Sequence, residues 1–246
     1  MPIVKIKCSM GPFDNIGFRI LTKWKKLFEK RNDSLKDIPI IINNYNRLEY
    51  LMLMLEWLNK AGYKNVFIID NNSTYSPLIK YYQNCPYTVF RLDQNVGFLA
   101  LWKTILFTRF TDDYYVYSDP DILPIEHCPH NAIEYFKELL DKYDKYDKVG
   151  FGLKIDDLPE HYPLKDKVIN WERKFWHRKL DDNIYEAPID TTFALYRPGI
   201  KGGSELNAIR TGSPYLAHHL SWYIDPDNLS EDEIHYQTNV AESGSW

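Results

Sequence analysis

Between residues 38 and 118, short apolar runs alternate with helical periodicities, and this alternation restricts the fold more than any other feature. Ile38-Pro-Ile-Ile-Ile42 is an apolar run bounded by turn residues, the pattern of a strand buried on both faces. Residues 48–60 are apolar almost all round (Leu48, Leu51, Met52, Leu53, Met54, Leu55, Trp57, Leu58), which predicts a largely buried helix ending at Ala61-Gly62. Val66-Phe-Ile-Ile-Asp70 reads as a second strand, closed by Asn71-Asn-Ser73. A short helix follows over 76–83, with Pro77 in a first turn that tolerates it. A third strand is expected at 87–92, a helix at 98–110 and a fourth strand at 114–118. Four strands alternating with three helices predict right-handed βαβ units. The expected class is α/β, with a mainly parallel, Rossmann-like sheet flanked by helices. Neither a G-x-G-x-x-G turn nor a P-loop accompanies it.

The fourth strand ends in Asp119-Pro-Asp121. Carboxylates at the carboxyl end of a strand in such a sheet lie at the crevice where these folds bind ligands. Two of them one residue apart repel unless a cation lies between them, and hard oxygen donors suit Mg2+ or Mn2+. Asp and Pro are also common turn residues, so a plain strand-end turn is the competing reading.

Beyond this motif a helix is expected over 130–143 and a strand over 149–155. Residues 156–183 read as irregular, with Trp171-Glu-Arg-Lys-Phe-Trp-His-Arg178 within them. Strand character returns over 184–196, followed by a loop at 201–204, the segment Ala217-His-His-Leu-Ser-Trp-Tyr223 and an acidic helix from about Ser230.

With 246 residues and 44% hydrophobic content, the chain can bury a sizeable core. A net charge of -4 argues against general nucleic-acid binding. Three scattered cysteines (Cys8, Cys85, Cys128) lack metal-site spacing, and no signal peptide or apolar span is evident. A reducing, cytoplasmic setting is therefore expected. The N-terminal stretch 1–37 reads as an extension. Over 16–31, Ile16, Ile20, Leu21, Trp24, Leu27 and Phe28 recur at helical spacing opposite Arg19, Lys23, Lys25, Lys26, Lys30 and Arg31. A basic amphipathic helix of this kind either docks on the main domain or lies on an anionic membrane surface as a peripheral contact.

The ordered set Asn43-Asn-Tyr-Asn-Arg47, Asp70-Asn-Asn-Ser73, Asn95-Val-Gly-Phe98 and Asp119-Pro-Asp121 resembles the nucleotide-sugar-binding half of GT-A fold glycosyltransferases, closest to the family-two type. Ile189-Asp-Thr-Thr-Phe-Ala-Leu-Tyr-Arg197 and Ala217-His-His-Leu-Ser-Trp-Tyr223 resemble the acceptor half of small bacterial or viral members. The resemblance implies a nucleotide-sugar-binding half over 38–125 and an acceptor half over 126–246. It further implies a Mn2+ or Mg2+ cofactor, a UDP, dTDP or GDP sugar donor, and a glycan or lipid-linked acceptor of the kind used in polysaccharide biosynthesis. Donor contacts fall to Asn43, Tyr45, Arg47, Asp70, Asn95, Gly97 and Asp119, and metal ligation to Asp119, Asp121 and His219, with His218 adjacent. Asp70 can accept from a base N–H or close an Asx-turn with Asn72 or Ser73. Asn95 can cap the following helix, and Gly97 lets backbone approach the donor.

Inverting transfer needs a base for the acceptor hydroxyl. Asp190 is the candidate, since a carboxylate in an apolar strand is costly unless paired or functional. Its Ile189 neighbour departs from the family's Glu-Asp pair, and Asp156, Asp157 and Glu172 are alternatives. Trp171, Trp176, His177 and Arg178 would shape the acceptor pocket. Two rival classes are a sugar nucleotidyltransferase, whose glycine-rich loop after the first strand is missing here, and a catalytically silent nucleotide-sugar or glycan-binding module.

Overall fold

The computed structural model describes residues 3–8, 34–110, 112–203 and 206–240. One mixed sheet runs through the molecule, and its centre is strand β2 (Ile40–Asn44), buried at every position. Ile40 and Ile42 face one apolar cluster and Ile41 the other, as the two-residue period of a strand dictates. The first cluster is closed by three helices, α1 (Glu49–Lys60), α2 (Ser76–Asn84) and α5 (Ala132–Lys142). The second is closed by two single-turn helices, α3 (Ala100–Lys103) and α4 (Phe107–Phe110). The result is a helix–sheet–helix sandwich, the α/β class expected.

Strands β3 (Val66–Asp70), β4 (Thr88–Leu92) and β5 (Tyr115–Ser118) join β2 in a parallel array ordered β4-β3-β2-β5. The chain builds outward from β2 through β3 to β4, then returns to the opposite side of β2 as β5. The β2/β5 junction is thus the point where strand order reverses, the place in open α/β sheets where ligands bind.

Beyond β5 the sheet changes character. Strand β10 (Ala194–Tyr196) slots antiparallel between β5 and β7 (Lys148–Leu153). The twelve-residue β11 (Ala208–His219) then runs parallel to β7, with a register shift between Thr211 and Leu216. It also carries β6 (Ile122–Pro124) and β9 (Ile184–Glu186), and β9 pairs with β8 (Lys179–Asp181).

Several expectations change. Strand β1 (Ile3–Ile6) pairs parallel with β4, so the start of the presumed extension is an edge of the sheet. The basic helix anticipated at 16–31 lies outside the described residues. Among the described residues, no helix is long and apolar enough to cross a membrane. The helix expected over 98–110 breaks into α3 and α4 at Thr104, whose hydroxyl donates back to Ala100 O at 2.9 Å while its backbone turns extended. In α1, Leu51, Met54, Leu55 and Leu58 form the buried stripe, whereas Met52 and Leu53 are exposed. The 184–196 strand is two strands with a loop between, and the 156–183 segment includes helix α6 (Lys165–Glu172). The acidic helix from Ser230 is present as α7 (Glu231–Asn239). Ser230 caps it by accepting from Glu233 N, half of a capping box.

Candidate functional site

Asp119 and Asp121 leave the carboxyl end of β5 at the strand-order reversal. The two carboxylates have different partners. Asp119 accepts from the Thr191 hydroxyl, and its N–H donates to Thr191 O at 3.0 Å. Asp121 Oδ2 accepts from Ser221 Oγ at 2.7 Å and lies 3.8 Å from His219 Nε2, while its carbonyl accepts from Leu220 N. Strand pairing explains the convergence. β10 pairs with β5 through Ala194 and Tyr117, so the loop before β10 runs back along the aspartates. β11 pairs with β6 through His219 and Ile122, which brings 219–221 alongside Asp121.

Electrostatics split the pair. Burial, then the Asp121 charge, push Asp119 well above the usual carboxylate range. Burial acts to raise Asp121 too, but His219, Arg47 and Ser221 outweigh it and hold it below that range. The two groups thus avoid carrying two charges at once. A divalent cation between them would let both ionise. Asp121 Oδ1 and His219 Nδ1, both buried, have no hydrogen-bond partner among the described residues, and the donor set of carboxylate oxygen and imidazole fits Mn2+ or Mg2+. Among the described residues no three His, Cys, Asp or Glu side chains are gathered into a ready-made ion cage. The trio Asp119, Asp121 and His219 is therefore not preassembled. A hard cation commonly takes one or two protein carboxylates and completes its shell with water and substrate phosphate.

Of the two histidines, His219 faces Asp121 and stacks on Trp222 with ring centres 4.6 Å apart. His218 turns to Asp157 at 3.2 Å. Asp190 is not in a strand: it is exposed on the loop between β9 and β10, one residue before Thr191 and close enough to Asp119 to raise it further. The alternative bases are engaged elsewhere. Glu172 forms a buried ion pair with Arg210 at 2.5 Å, Asp156 pairs with Lys154, and Asp157 binds Lys154, Tyr223 and His218.

The β2 loop differs from a simple donor-facing turn. Arg47 forms a buried ion pair with Glu233 of α7, and its guanidinium lies 3.5 Å from the Tyr236 ring centre and 4.9 Å from that of Tyr50. Next to it, Asp232 accepts from the N–H groups of Leu48 (3.0 Å) and Glu49 (2.9 Å) at the start of α1. Tyr45 donates to Asn239 O at 3.1 Å. Helix α7 therefore lies across the β2 loop. Asn43 is buried, and its Oδ1 has no hydrogen-bond partner among the described residues. Asn46, at φ 53°, accepts from Thr74 N and Tyr75 N and locks the β2 loop to the β3 loop.

Asp70 is fully buried. It accepts from Ser73 N at 3.2 Å, which closes the Asx-turn, and sits 3.3 Å from Arg91 Nε. Asn71 accepts from Val96 N and donates to Gly97 O, fixing the 93–97 loop beside it. Asn95 does not cap the helix that follows; it accepts from Gly97 N, two residues on, and Gly97 takes φ 82°.

Of the acceptor-side aromatics, Trp171 is exposed under the Lys174 ammonium, 3.1 Å away. Trp176 packs on Gly152 and Tyr185. His177 is exposed, and Arg178 pairs with Glu186 at 2.6 Å. These four do not converge on the Asp119–Asp121 cleft through any contact above. Sequence reasoning passed over Thr191, Ser221, Glu233 and Tyr236. Thr191 and Ser221 each lie within two residues of a chosen candidate, and only that proximity hinted at them.

No protein-family model matches the chain, and no curated protein matches it. Among solved structures, it is similar to glucosyl-3-phosphoglycerate synthase from Mycobacterium tuberculosis in complex with phosphoglyceric acid. That match has a TM-score of 0.42 and 12% identity over 80% of this chain and 65% of that one. The same synthase with Mn2+ and uridine-diphosphate-glucose gives 0.40 and 13%, over 80% and 64%. Apo-UDP-glucose pyrophosphorylase gives 0.42 and 11%, over 82% and 100%. The chain thus spans just under two thirds of the length of the synthase structures.

Proposed function

We propose that the chain is a metal-dependent glycosyltransferase that moves a sugar from a nucleotide-diphosphate donor to a hydroxyl of a glycan or lipid-linked acceptor, with inversion. The observation that carries this reading is the Asp119–Asp121 pair at the strand-order reversal, with the exposed Asp190 delivered beside Asp119 by β10. A Mn2+ or Mg2+ ion held by Asp121, His219 and Asp119 would supply Lewis-acid stabilisation of the diphosphate leaving group.

The chain's own residues do the rest. Asn43 and the 93–97 loop border the donor side, and Arg47 places a cation near Asp121 for the phosphates. Thr191 anchors the loop that carries Asp190. Asp190, open to solvent, takes the acceptor hydroxyl proton at its carboxylate as that oxygen attacks the anomeric carbon.

Thermal-shift measurements with UDP, dTDP and GDP, each with Mn2+ or with chelator, test the reading. At 100 times its Kd, a ligand selective for the folded state adds about 2.7 kcal/mol. One nucleotide should stabilise the protein only when metal is present, and Asp121→Ala should abolish that dependence. Equal shifts in Mn2+ and in chelator, or an undiminished metal response in the variant, would overturn the proposal.

A further inference from the structure

The buried face of the sheet beneath the Asp190 loop holds a charge that the reaction described above does not use. Lys148, the first residue of β7, is fully buried between β10 and β11. Among the described residues no carboxylate lies within ion-pair distance of it. Its ammonium donates instead to Ile189 O at 2.6 Å, Asp190 O at 3.3 Å, Gly203 O at 3.1 Å and the Tyr196 hydroxyl at 3.4 Å. Two of these acceptors belong to the loop between β9 and β10 and one to the loop after β10. That second loop is also pinned where Gly202 lies flat against Trp102, with no room for a Cβ, and where Tyr115 donates to Ile200 O.

Burying an unpaired ammonium is costly, and a hydrophobic residue would fill the same volume without that cost. What an apolar side chain cannot do is hold several carbonyls from two loops at one point. The charge also faces Asp190, one of the two carboxylates that crowd Asp119. We propose that Lys148 is a positioning residue for Asp190: its ammonium ties the 187–192 loop to the 201–203 loop and holds the Asp190 carboxylate beside Asp119. The role of Asp190 rests on the proposed function; the tie itself does not.

The groups that face Lys148 are Asp190 on the loop, Asp147 before β7, Arg210 on β11 and the Tyr196 hydroxyl on β10. Burial dominates among their effects and lowers the lysine to about 8. Above that pH one of its three donors and its charge are gone. Between about pH 8 and the ordinary lysine value of 10.5, the folded protein has shed this proton and the unfolded chain has not. This group therefore adds stability as pH rises while it loosens the loops. A lysine that merely supported the fold would not separate the two.

Hydrogen exchange and turnover test the proposal on the whole protein. In wild type, protection of residues 187–203, corrected for intrinsic rates, should fall as pH rises through 8, with β2 and β3 unaffected. Lys148→Met should show the same loss at pH 7 and should remove its pH dependence. With the UDP, dTDP or GDP sugar that stabilises wild type most in Mn2+, kcat in Lys148→Met should drop about 100-fold, the scale of a small misplacement of a catalytic group. The donor KM should stay within about twofold, since only uniform binding would raise it alone. Unchanged protection in the variant and across pH 8 in wild type would overturn the tie. Intact protection in Lys148→Met with kcat lost, or lost protection with kcat intact, would overturn the positioning role. If wild type turns over none of these donors, the proposed function falls and the positioning role with it, while the exchange data still decide the tie. Should Lys148→Met fail to fold, the wild-type pH titration alone decides it.

Discussion

Removing Glu233 should expose how much of the β2 loop is held from α7. The Arg47–Glu233 pair is buried on both sides, with 6% of each side chain exposed. Truncating one partner of such a pair costs about 3–5 kcal/mol, because the other charge is stranded. Arg47 would not be wholly abandoned. It keeps the ring faces of Tyr236 and Tyr50, and the Asp121 carboxylate remains near. Each ring contact is worth about 0.5–2 kcal/mol, so the lower end applies, and Glu233→Ala should cost about 3 kcal/mol. For a chain of this size that is a fall in Tm of about 6–12 °C. Urea unfolding of wild type, Glu233→Ala, Arg47→Met and the double variant measures it. The double variant should be more stable than Glu233→Ala, because no stranded cation remains, and the coupling should exceed about 1 kcal/mol. A nucleoside diphosphate with Mn2+ should stabilise Glu233→Ala more than wild type, since its phosphates would replace the lost anion at Arg47. A loss below about 1 kcal/mol with additive single effects would show that α7 does not hold the loop through this pair.

Asp119→Asn should stabilise the metal-free protein while abolishing its response to Mn2+. Folding raises this carboxyl above its unfolded value of 3.8, so wild type loses stability as pH climbs from there through the raised value, and the variant should not share that slope. Asp190→Asn should leave donor affinity near wild type and slow transfer about 100-fold, which progress curves at saturating donor would show. Gly152→Ala should cost about 1–3 kcal/mol in denaturant unfolding, because a Cβ there meets the Trp176 ring and the Thr211 carbonyl.

The parallel half of the sheet was legible in the sequence because each of its strands is buried on both faces and each helix is local. Ile38-Pro-Ile-Ile-Ile42 and Val66-Phe-Ile-Ile-Asp70 announce themselves by composition alone. Asp119 and Asp121 were legible for the same reason, since a strand end is a local event. What could not be read was anything made by pairing at long range. The strands β9 and β10 looked like one because Pro188 and Asp190 interrupt the run without any sign of where its halves pair. Thr104 broke a helix through a hydroxyl that propensity alone does not reveal. Arg47 read as a donor contact or as a helix N-terminal charge paired with Glu49 or a neighbour, and only the three-dimensional approach of Glu233, 186 residues away, shows its partner. Asp70 closes an Asx-turn through Ser73 N, as its neighbours in the sequence suggested, while the approach of Arg91 to its other oxygen comes from the next strand and had no local sign.

The insertion of β10 between β5 and β7 has a consequence for how the molecule comes into being. The β2–β5 array rests on successive βαβ units, whereas β7 joins it, among the described residues, by way of three residues, Ala194–Tyr196, that pair with β5 on one side and β7 on the other. The same event lays Thr191 on Asp119 and Asp190 at its side. A half-folded chain can therefore present the acidic pair without Thr191 and Asp190 beside it. The carboxylate pair is thus set by the parallel half alone, and its neighbours on the 187–193 loop come only with the docking of β10.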